Sequence, residues 1–178
     1  MIPVLLVDGN NLLHRVMHAL GVFQGRWTGG HGGTYGFLKT LRAALVQSPI
    51  VYRTVVVWDG GISARRRALW PGYKQRRTDP AGRALFIEQA QELDLALNAL
   101  RVPSIRYSGV EADDVIAALA RSAPRPVTIL SEDKDLFQCL SPTVSVWRPI
   151  ADQRITPASF GQIAIFPSDR WLYYRALT

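Results

Sequence analysis

Short runs, most of them near-continuously apolar, alternate along this chain with longer segments whose apolar positions recur every three or four residues. The short runs are "PVLLV" (3–7), "TVVVW" (54–58), "VPSIRY" (102–107), "PVTIL" (126–130) and "TVSVW" (143–147). Runs of Val, Ile and Leu with little polar alternation are expected of strands covered on both faces, as in a parallel sheet. Between them, "TYGFLKTLRAALVQ" (34–47) sets Phe37, Leu41 and Leu45 on one helical stripe. "GRALFIEQAQELDLALNAL" (82–100) is a longer predicted helix with Phe86, Leu93, Leu97 and Leu100 in its apolar face. "EADDVIAALAR" opens on acids and closes on Arg121, in keeping with the helix dipole, and Pro124 and Pro126 stop it. The alternation predicts an α/β sandwich with a mainly parallel central sheet and right-handed crossovers.

Two stretches carry no such periodicity: the glycine-rich 25–36 and the basic 60–83. Both are expected as long irregular connections, which in compact domains are usually functional or mobile. No linker divides the chain, so residues 1–178 are expected to form one domain.

Composition narrows the classes. Apolar residues make up 48%, enough for a sizeable core. The one cysteine, Cys139, excludes an internal disulfide and fits a reducing, cytoplasmic setting. "MIPVLLVDGN" lacks a basic leader and is cut by Asp8, so it is expected as a first strand and not as a signal peptide or a membrane span. The net charge is +7. Arg65, Arg66, Arg67, Lys74, Arg76, Arg77 and Arg83 fall between Gly60 and Arg83 against Asp79 alone, so one block carries nearly all the excess. Such a block is either a solvated loop or a footprint for a phosphate backbone. Trp70 and Tyr73 within it offer stacking surfaces for unpaired bases.

The acidic residues add the chemistry. Asp8 and Asp59 follow the first two strands, and Asp133 and Asp135 follow the "TIL" strand. Glu111, Asp113 and Asp114 crowd the start of the helix after "SIRY". An acidic first turn alone is explained by the helix dipole. Seven carboxylates from four segments, converging on the carboxyl edge of a parallel sheet, would repel one another unless a cation joined them. One or two hard ions, Mg²⁺ or Mn²⁺, fit an all-oxygen donor set. His14, His18 and His31 lack the spacing of a zinc site, and the first two are expected as ordinary residues of one helix. Carboxylate-held metal beside a basic block points to phosphodiester cleavage, with a cation such as Lys74 offsetting charge on the phosphoryl oxygens.

"LLVDGNNLLHR", "VVVWDGG", "RRRALWPGYKQRR", "GVEADDVIAALA", "TILSEDKDLFQCL" and "WLYYRALT" together resemble, in order, the bacterial and phage 5′→3′ exonuclease/flap endonuclease family, which includes the N-terminal nuclease domain of bacterial DNA polymerase I. The resemblance implies a PIN-like (resolvase-like) three-layer sandwich that cuts branched DNA near 5′ flaps or ends with two divalent ions, in replication or repair. It implies that Asp8, Asp59, Glu111, Asp113, Asp114, Asp133 and Asp135 are metal ligands, direct or through water, and that Lys74 is the active-site lysine. Arg77 matches a phosphate-contacting arginine, with Arg66 and Arg76 beside it in the basic block; Tyr73 would stack on the base at the cleaved end. Residues of about 75–98 correspond to a helical arch around the 5′ strand, and the segment bearing Tyr35 to a helix lining the gateway.

In the family, a segment like "YRALT" leads into two further metal-binding aspartates and a helix–hairpin–helix module. The sequence ends at Thr178, so one metal ion is expected to be more secure than the second. The partner expected besides DNA is a separate C-terminal helix–hairpin–helix chain or a polymerase. Two alternatives remain: a DNA-binding subunit that needs a partner for chemistry, and a haloacid-dehalogenase-type phosphatase, which would need an aspartate where Asn10 stands.

Overall fold

The computed structural model describes residues 1–27, 29–72 and 79–177. In chain order the elements are β1 (Val4–Asp8), α1 (Gly9–Ala19), α2 (Gly32–Gln47), β2 (Arg53–Trp58), α3 (Ala64–Leu69), α4 (Pro80–Ala99), β3 (Ser104–Arg106), α5 (Ala112–Ser122), β4 (Val127–Leu130), β5 (Val144–Arg148), β6 (Gln153–Ile155), α6 (Pro157–Phe160) and α7 (Trp171–Leu177). Short 3-10 helices span Lys134–Cys139 and Ser168–Arg170. Among the described residues the sheet has six strands in the order β3-β2-β1-β4-β5-β6. Every pairing is parallel except β5 with β6.

Period-two alternation divides the strand side chains between two apolar layers. Leu5 and Val7 of β1, Val56 and Trp58 of β2, Leu130 of β4 and Trp147 of β5 pack with α1, α2 and α4. Leu6, Val57, Ile129 and Val146 point the other way, into a layer closed by α5 and the aromatic group Phe137, Phe160 and Trp171. Both faces of β1, β2, β4 and β5 are covered, which is why their runs are mostly apolar, whereas β3 at the sheet edge leaves Ser104 and Arg106 exposed.

The expected helices hold, with corrections at their ends. The 34–47 helix begins at Gly32, inside the glycine-rich stretch expected to be irregular. Its N-terminus is capped from afar: the Gly33 amide donates to Gln89 Oε1 and Gln89 Nε2 donates to the Gly30 carbonyl, both at 2.8 Å. Gln89 of α4 is buried, so the two helices share this cap. The basic stretch likewise contains a helix, α3, started by the Ser63 hydroxyl, which accepts from the Arg66 amide. Leu100, expected in the apolar face of α4, is 61% exposed because the helix ends at Ala99. The first part of the expected arch, residues 75–78, lies outside the described residues, and α4 provides the remainder. Antiparallel β6 has no counterpart in the sequence reading.

In the parallel sheet β1 lies between β2 and β4, so chain connections leave its two sides in opposite directions. The carboxyl ends of β1 and β4 are therefore the switch point of the sheet, the place where α/β folds bind ligands. The β2 side of that edge is locked by a close turn. Gly60 N–H donates to the Val110 carbonyl at 2.8 Å, and Gly109 N–H returns to the Gly60 carbonyl at 2.9 Å. A Cβ at Gly60 would fall on the Tyr107 carbonyl. Gly60→Ala is therefore expected to cost roughly 1–3 kcal/mol, as overpacking does. Gly161→Ala, where a Cβ meets nothing within 4 Å, is the neutral control. Equal urea midpoints for the two variants would contradict this account.

Candidate active site

Asp8 ends β1 and begins α1. Its Oδ1 accepts the Asn11 amide at 3.1 Å, which caps α1. Its Oδ2 accepts the Ser131 hydroxyl at 2.8 Å, across the switch point from the end of β4. The carboxyl is only 6% exposed. Burial pushes its pKa from 3.8 up to about 7, and the charges of Asp59 and Asp133 push the same way against the two hydrogen bonds. Asp8, Asp59 and Asp133 thus form one electrostatic group.

Asp59 follows β2. Its own amide donates to Asn10 Oδ1 and its Oδ1 accepts the Ala112 amide, both at 2.8 Å. That second bond ties the end of β2 to the first turn of α5, where the other acids stand. Glu111 caps α5 by position without a side-chain cap bond, and Asp113 and Asp114 lie in the first turn. The Arg66 guanidinium of α3 spans all three. Nη1 reaches Glu111 Oε2 at 2.6 Å, Nη2 reaches Asp114 Oδ1 at 2.8 Å, and Asp113 Oδ2 stands 3.7 Å from Nη1. Asp113 is raised above the usual carboxylate range, by burial first and by Asp114 and Glu111, while Arg66 opposes the shift. The simple dipole reading of these acids is incomplete, because a distant arginine is aimed at them.

Asp133 Oδ1 accepts the Asp135 amide and starts the 3-10 helix. Asp135 itself turns towards α7, 3.3 Å from Arg175 Nε. The seven acids expected together therefore resolve into two linked groups of three, with Asp135 directed elsewhere by its ion pair. Among the described residues no three His, Cys, Asp or Glu side chains are posed to hold one ion together. The donor chemistry nevertheless fits a hard cation. The set is all oxygen, it is partly desolvated, and its central member carries a raised pKa that only a proton or a positive neighbour relieves.

Tyr35, in the first turn of α2, is 49% exposed and stacks on Trp27, with ring centroids 5.5 Å apart. Lys39 Nζ lies 5.7 Å from its ring centre. Arg66, expected among the DNA-contacting residues, has its guanidinium engaged by carboxylates, so a phosphate would compete with them. Tyr73, Lys74, Arg76 and Arg77 lie outside the described residues. Sequence reasoning missed Asn10, Asn11 and Ser131, which orient the acids. Asn11 Oδ1 also accepts the Glu132 amide, at 3.0 Å. The "DGNN" and "SED" strings hold the signal, since short polar side chains beside a strand end commonly bond nearby amides. Glu132 is also buried. It binds the Ile150 and Ala151 amides and Arg148, bracing the turn after β5.

An α/β sandwich with buried acids at its switch point defines a resolvase-like fold with a candidate catalytic edge. This chain belongs to the family of the 5′-3′ exonuclease N-terminal resolvase-like domain, whose pattern it matches over residues 3–163. It is 39% identical over 184 residues to the thermostable DNA polymerase I of Thermus aquaticus, an alignment covering 98% of this chain and 21% of the polymerase. It is 35% identical over 152 residues to the 5′-3′ exonuclease of Bacillus subtilis, covering 80% of this chain and 49% of that one. In structure it resembles the flap endonuclease of bacteriophage T5, solved as a pseudo-enzyme-product complex with DNA and metal ions. That match has a TM-score of 0.69 and 21% identity, and covers 90% of this chain and 60% of the other. The chain thus spans between about a fifth and about half of the length of these sequence relatives. Among the described residues no helix is long and apolar enough to cross a membrane.

Two predictions follow from the electrostatics. The folded carboxyl of Asp8 holds its proton to about pH 7 while the unfolded one releases it near 3.8. The fold therefore loses stability as pH rises between those values, by about 1.4 kcal/mol per unit and on the order of 4 kcal/mol in all. In chelator, Asp8→Asn should be more stable than the parent at pH 7.5, with the difference shrinking towards pH 4. A difference independent of pH in thermal melts would refute the buried charge. Arg66→Ala in chelator should lose about 2 kcal/mol, because Glu111 keeps its burial without its counter-ion. Added Mg²⁺ should recover part of that loss, and a variant as stable as the parent would show the pairs to be idle.

Proposed function

We propose that this chain is the nuclease part of a divalent-metal-dependent 5′→3′ exonuclease and 5′-flap endonuclease, which hydrolyses DNA phosphodiester bonds in replication or repair. The observation that carries the reading is the buried Asp8 at the switch point, flanked by Asp59 and Asp133 and linked through Asp59 to the acidic turn of α5. A fold that bears this cost at its switch point has a use for the charge. Membership of the exonuclease family supports the same conclusion. The DNA and metal ions in the phage flap endonuclease complex support the class of substrate and cofactor.

Asp8, Asp59, Glu111, Asp113, Asp114 and Asp133 would hold Mg²⁺ or Mn²⁺, with Asp135 joining through water. When bound, such ions supply Lewis acidity on both sides of an in-line displacement at phosphorus. The chain's own residues do the rest. Asn10, Asn11 and Ser131 fix the acids through the hydrogen bonds described above, so that little reorganisation is left for the reaction. Lys74 would place its ammonium against the non-bridging phosphate oxygens, Tyr73 would stack on the terminal base, and Arg76 and Arg77 would hold the backbone. In the balanced reaction, water oxygen bonds to phosphorus, one ester P–O bond breaks, and the departing oxygen gains a proton. A separate C-terminal helix–hairpin–helix chain or a polymerase is the proposed protein partner. A DNA-binding subunit without chemistry is the weaker reading, because binding a polyanion gains nothing from buried carboxylates.

The test is cleavage of a labelled 5′-flap substrate with Mg²⁺ or Mn²⁺ and with chelator. Asp113→Asn/Asp114→Asn should slow single-turnover cleavage at least about a hundredfold, the scale of a lost Lewis-acid contribution. The same variant should also lose the metal-dependent rise in melting temperature. Cleavage undiminished by chelator would overturn the metal-dependent reading. Separately, Arg76→Gln/Arg77→Gln should reduce the slope of log affinity against log salt by about 2. An unchanged slope would make the block a solvated loop.

A further inference from the structure

The Arg66 guanidinium lies where Glu111, Asp113 and Asp114 converge, so these acids share a cation that belongs to the chain itself. Its planar fork suits the place, because separate N–H groups can serve separate carboxylates. Nη1 takes the buried Glu111 and Nη2 takes Asp114, with Asp113 at the longer distance of 3.7 Å. The match in charge is poor. One positive charge against three negative ones leaves the group short by two. A divalent ion in the same role leaves it short by one, and such ions favour carboxylate oxygen. Arg66 and a metal ion therefore compete for the same oxygens.

The helix that carries Arg66 does not support itself. Helix α3 has six residues, too few to persist alone in water. Beyond Arg66 it exposes Arg67, Ala68 and Leu69, and Trp70 after it is exposed as well. The ion pairs of Arg66 thus anchor a helix whose later residues bury little apolar surface. Directly after Trp70 the chain runs through Lys74, Arg76 and Arg77, the residues proposed to meet phosphate. An arginine that lets go of the acids has its fork free for a phosphate. It also loosens the lead into that basic block.

We propose that Arg66 is an exchangeable counter-ion of the acidic edge, which gives up Glu111, Asp113 and Asp114 to a divalent metal ion and then turns its guanidinium to a DNA phosphate. The exchange rests on the nuclease reading and adds a coupling between metal and DNA. Such coupling is reciprocal, so DNA that draws Arg66 away raises the affinity for metal by the same factor. Arg66 is a positioning residue in this scheme, acting through the acids and α3 and taking no part in bond making.

Calorimetric titration of the whole chain with Mn²⁺, without DNA, tests the competition. Arg66→Gln should bind the ion about tenfold more tightly than the parent, since the competitor is gone. Arg67→Gln removes an exposed charge from the next position and should change Kd less than about twofold. Amide exchange followed by mass spectrometry supplies a second readout. In the parent, Mn²⁺ should hasten exchange over residues 63–70, where the Arg67 and Trp70 amides close the turns of α3. In Arg66→Gln the same segment should exchange fast with or without the ion. For the DNA half, the probe is a labelled phosphorothioate oligodeoxythymidine, which resists hydrolysis. Mn²⁺ should tighten its binding to the parent about tenfold more than its binding to Arg66→Gln. Equal or weaker Mn²⁺ binding in Arg66→Gln overturns the proposal. So does an α3 that exchanges more slowly with the ion, or an equal gain in DNA affinity in parent and variant. If Arg66→Gln melts early, amide exchange in the parent decides, because it needs no variant. Mn²⁺ that binds parent and variant alike, beside intact flap cleavage, removes only the exchange. Mn²⁺ that binds neither removes the metal-dependent nuclease reading itself.

Discussion

A carboxyl group held out of water at the end of the central strand sets the terms for everything around it. Asp8 is buried beside two other acids, and a charge in that position is stable only if other groups answer it. Hydrogen bonds from the Asn11 amide and the Ser131 hydroxyl do part of this and make the acid the cap of α1. The neighbouring group is answered by the Arg66 guanidinium across Glu111, Asp113 and Asp114. Both answers are partial, since the pKa values of Asp8 and Asp113 stay raised. The edge is therefore the place in the described fold where binding a further cation would gain most.

The rest of the architecture keeps that edge from relaxing. Relief could come from the strand ends splaying apart, but each is tied to a neighbour. Asp59 is bonded forward to α5 and back to Asn10. The Gly60–Gly109 turn admits no side chain where it passes Tyr107. Glu132, beside Asp133, is fastened to the turn after β5. Below these ties lie two apolar layers whose strand side chains are almost fully buried, and burial on that scale outweighs the repulsion of a few charges. The core's stability is what allows a strained edge to persist.

How much of this could be read from the sequence depended on the range of the interactions. Strands covered on both faces announce themselves locally, because most residues in the run are apolar whichever way they point, and all five expected strands are present, the edge strand β3 with Ser104 and Arg106 exposed. Acids that follow strands were equally legible, since position relative to a strand end is a local property. What the sequence hid were pairings between distant segments. Nothing near Arg66 says that it meets acids 45 to 48 residues away. Nothing near Gln89 says that it caps a helix 56 residues earlier. Asp135 looks like its neighbour Asp133 until the fold brings Arg175 beside it. Strand β6 is three residues long with two of them exposed, too short and too polar for any period to show.

The same distinction explains the division of labour within the candidate site. The residues expected to touch substrate directly, Lys74 and its neighbours, sit in the basic block, while the acids sit on strand ends and one helix turn. Acids that must share a cation need fixed separations, which only the sheet and its caps supply. Contacts to a phosphate backbone tolerate variation in position, because the charge repeats along the strand and falls off slowly with distance. Arg66 stands between these two regimes. It belongs to the basic block by sequence and to the acidic edge by contact, and so it ties the segment that leads to Lys74 to the carboxylates it would serve.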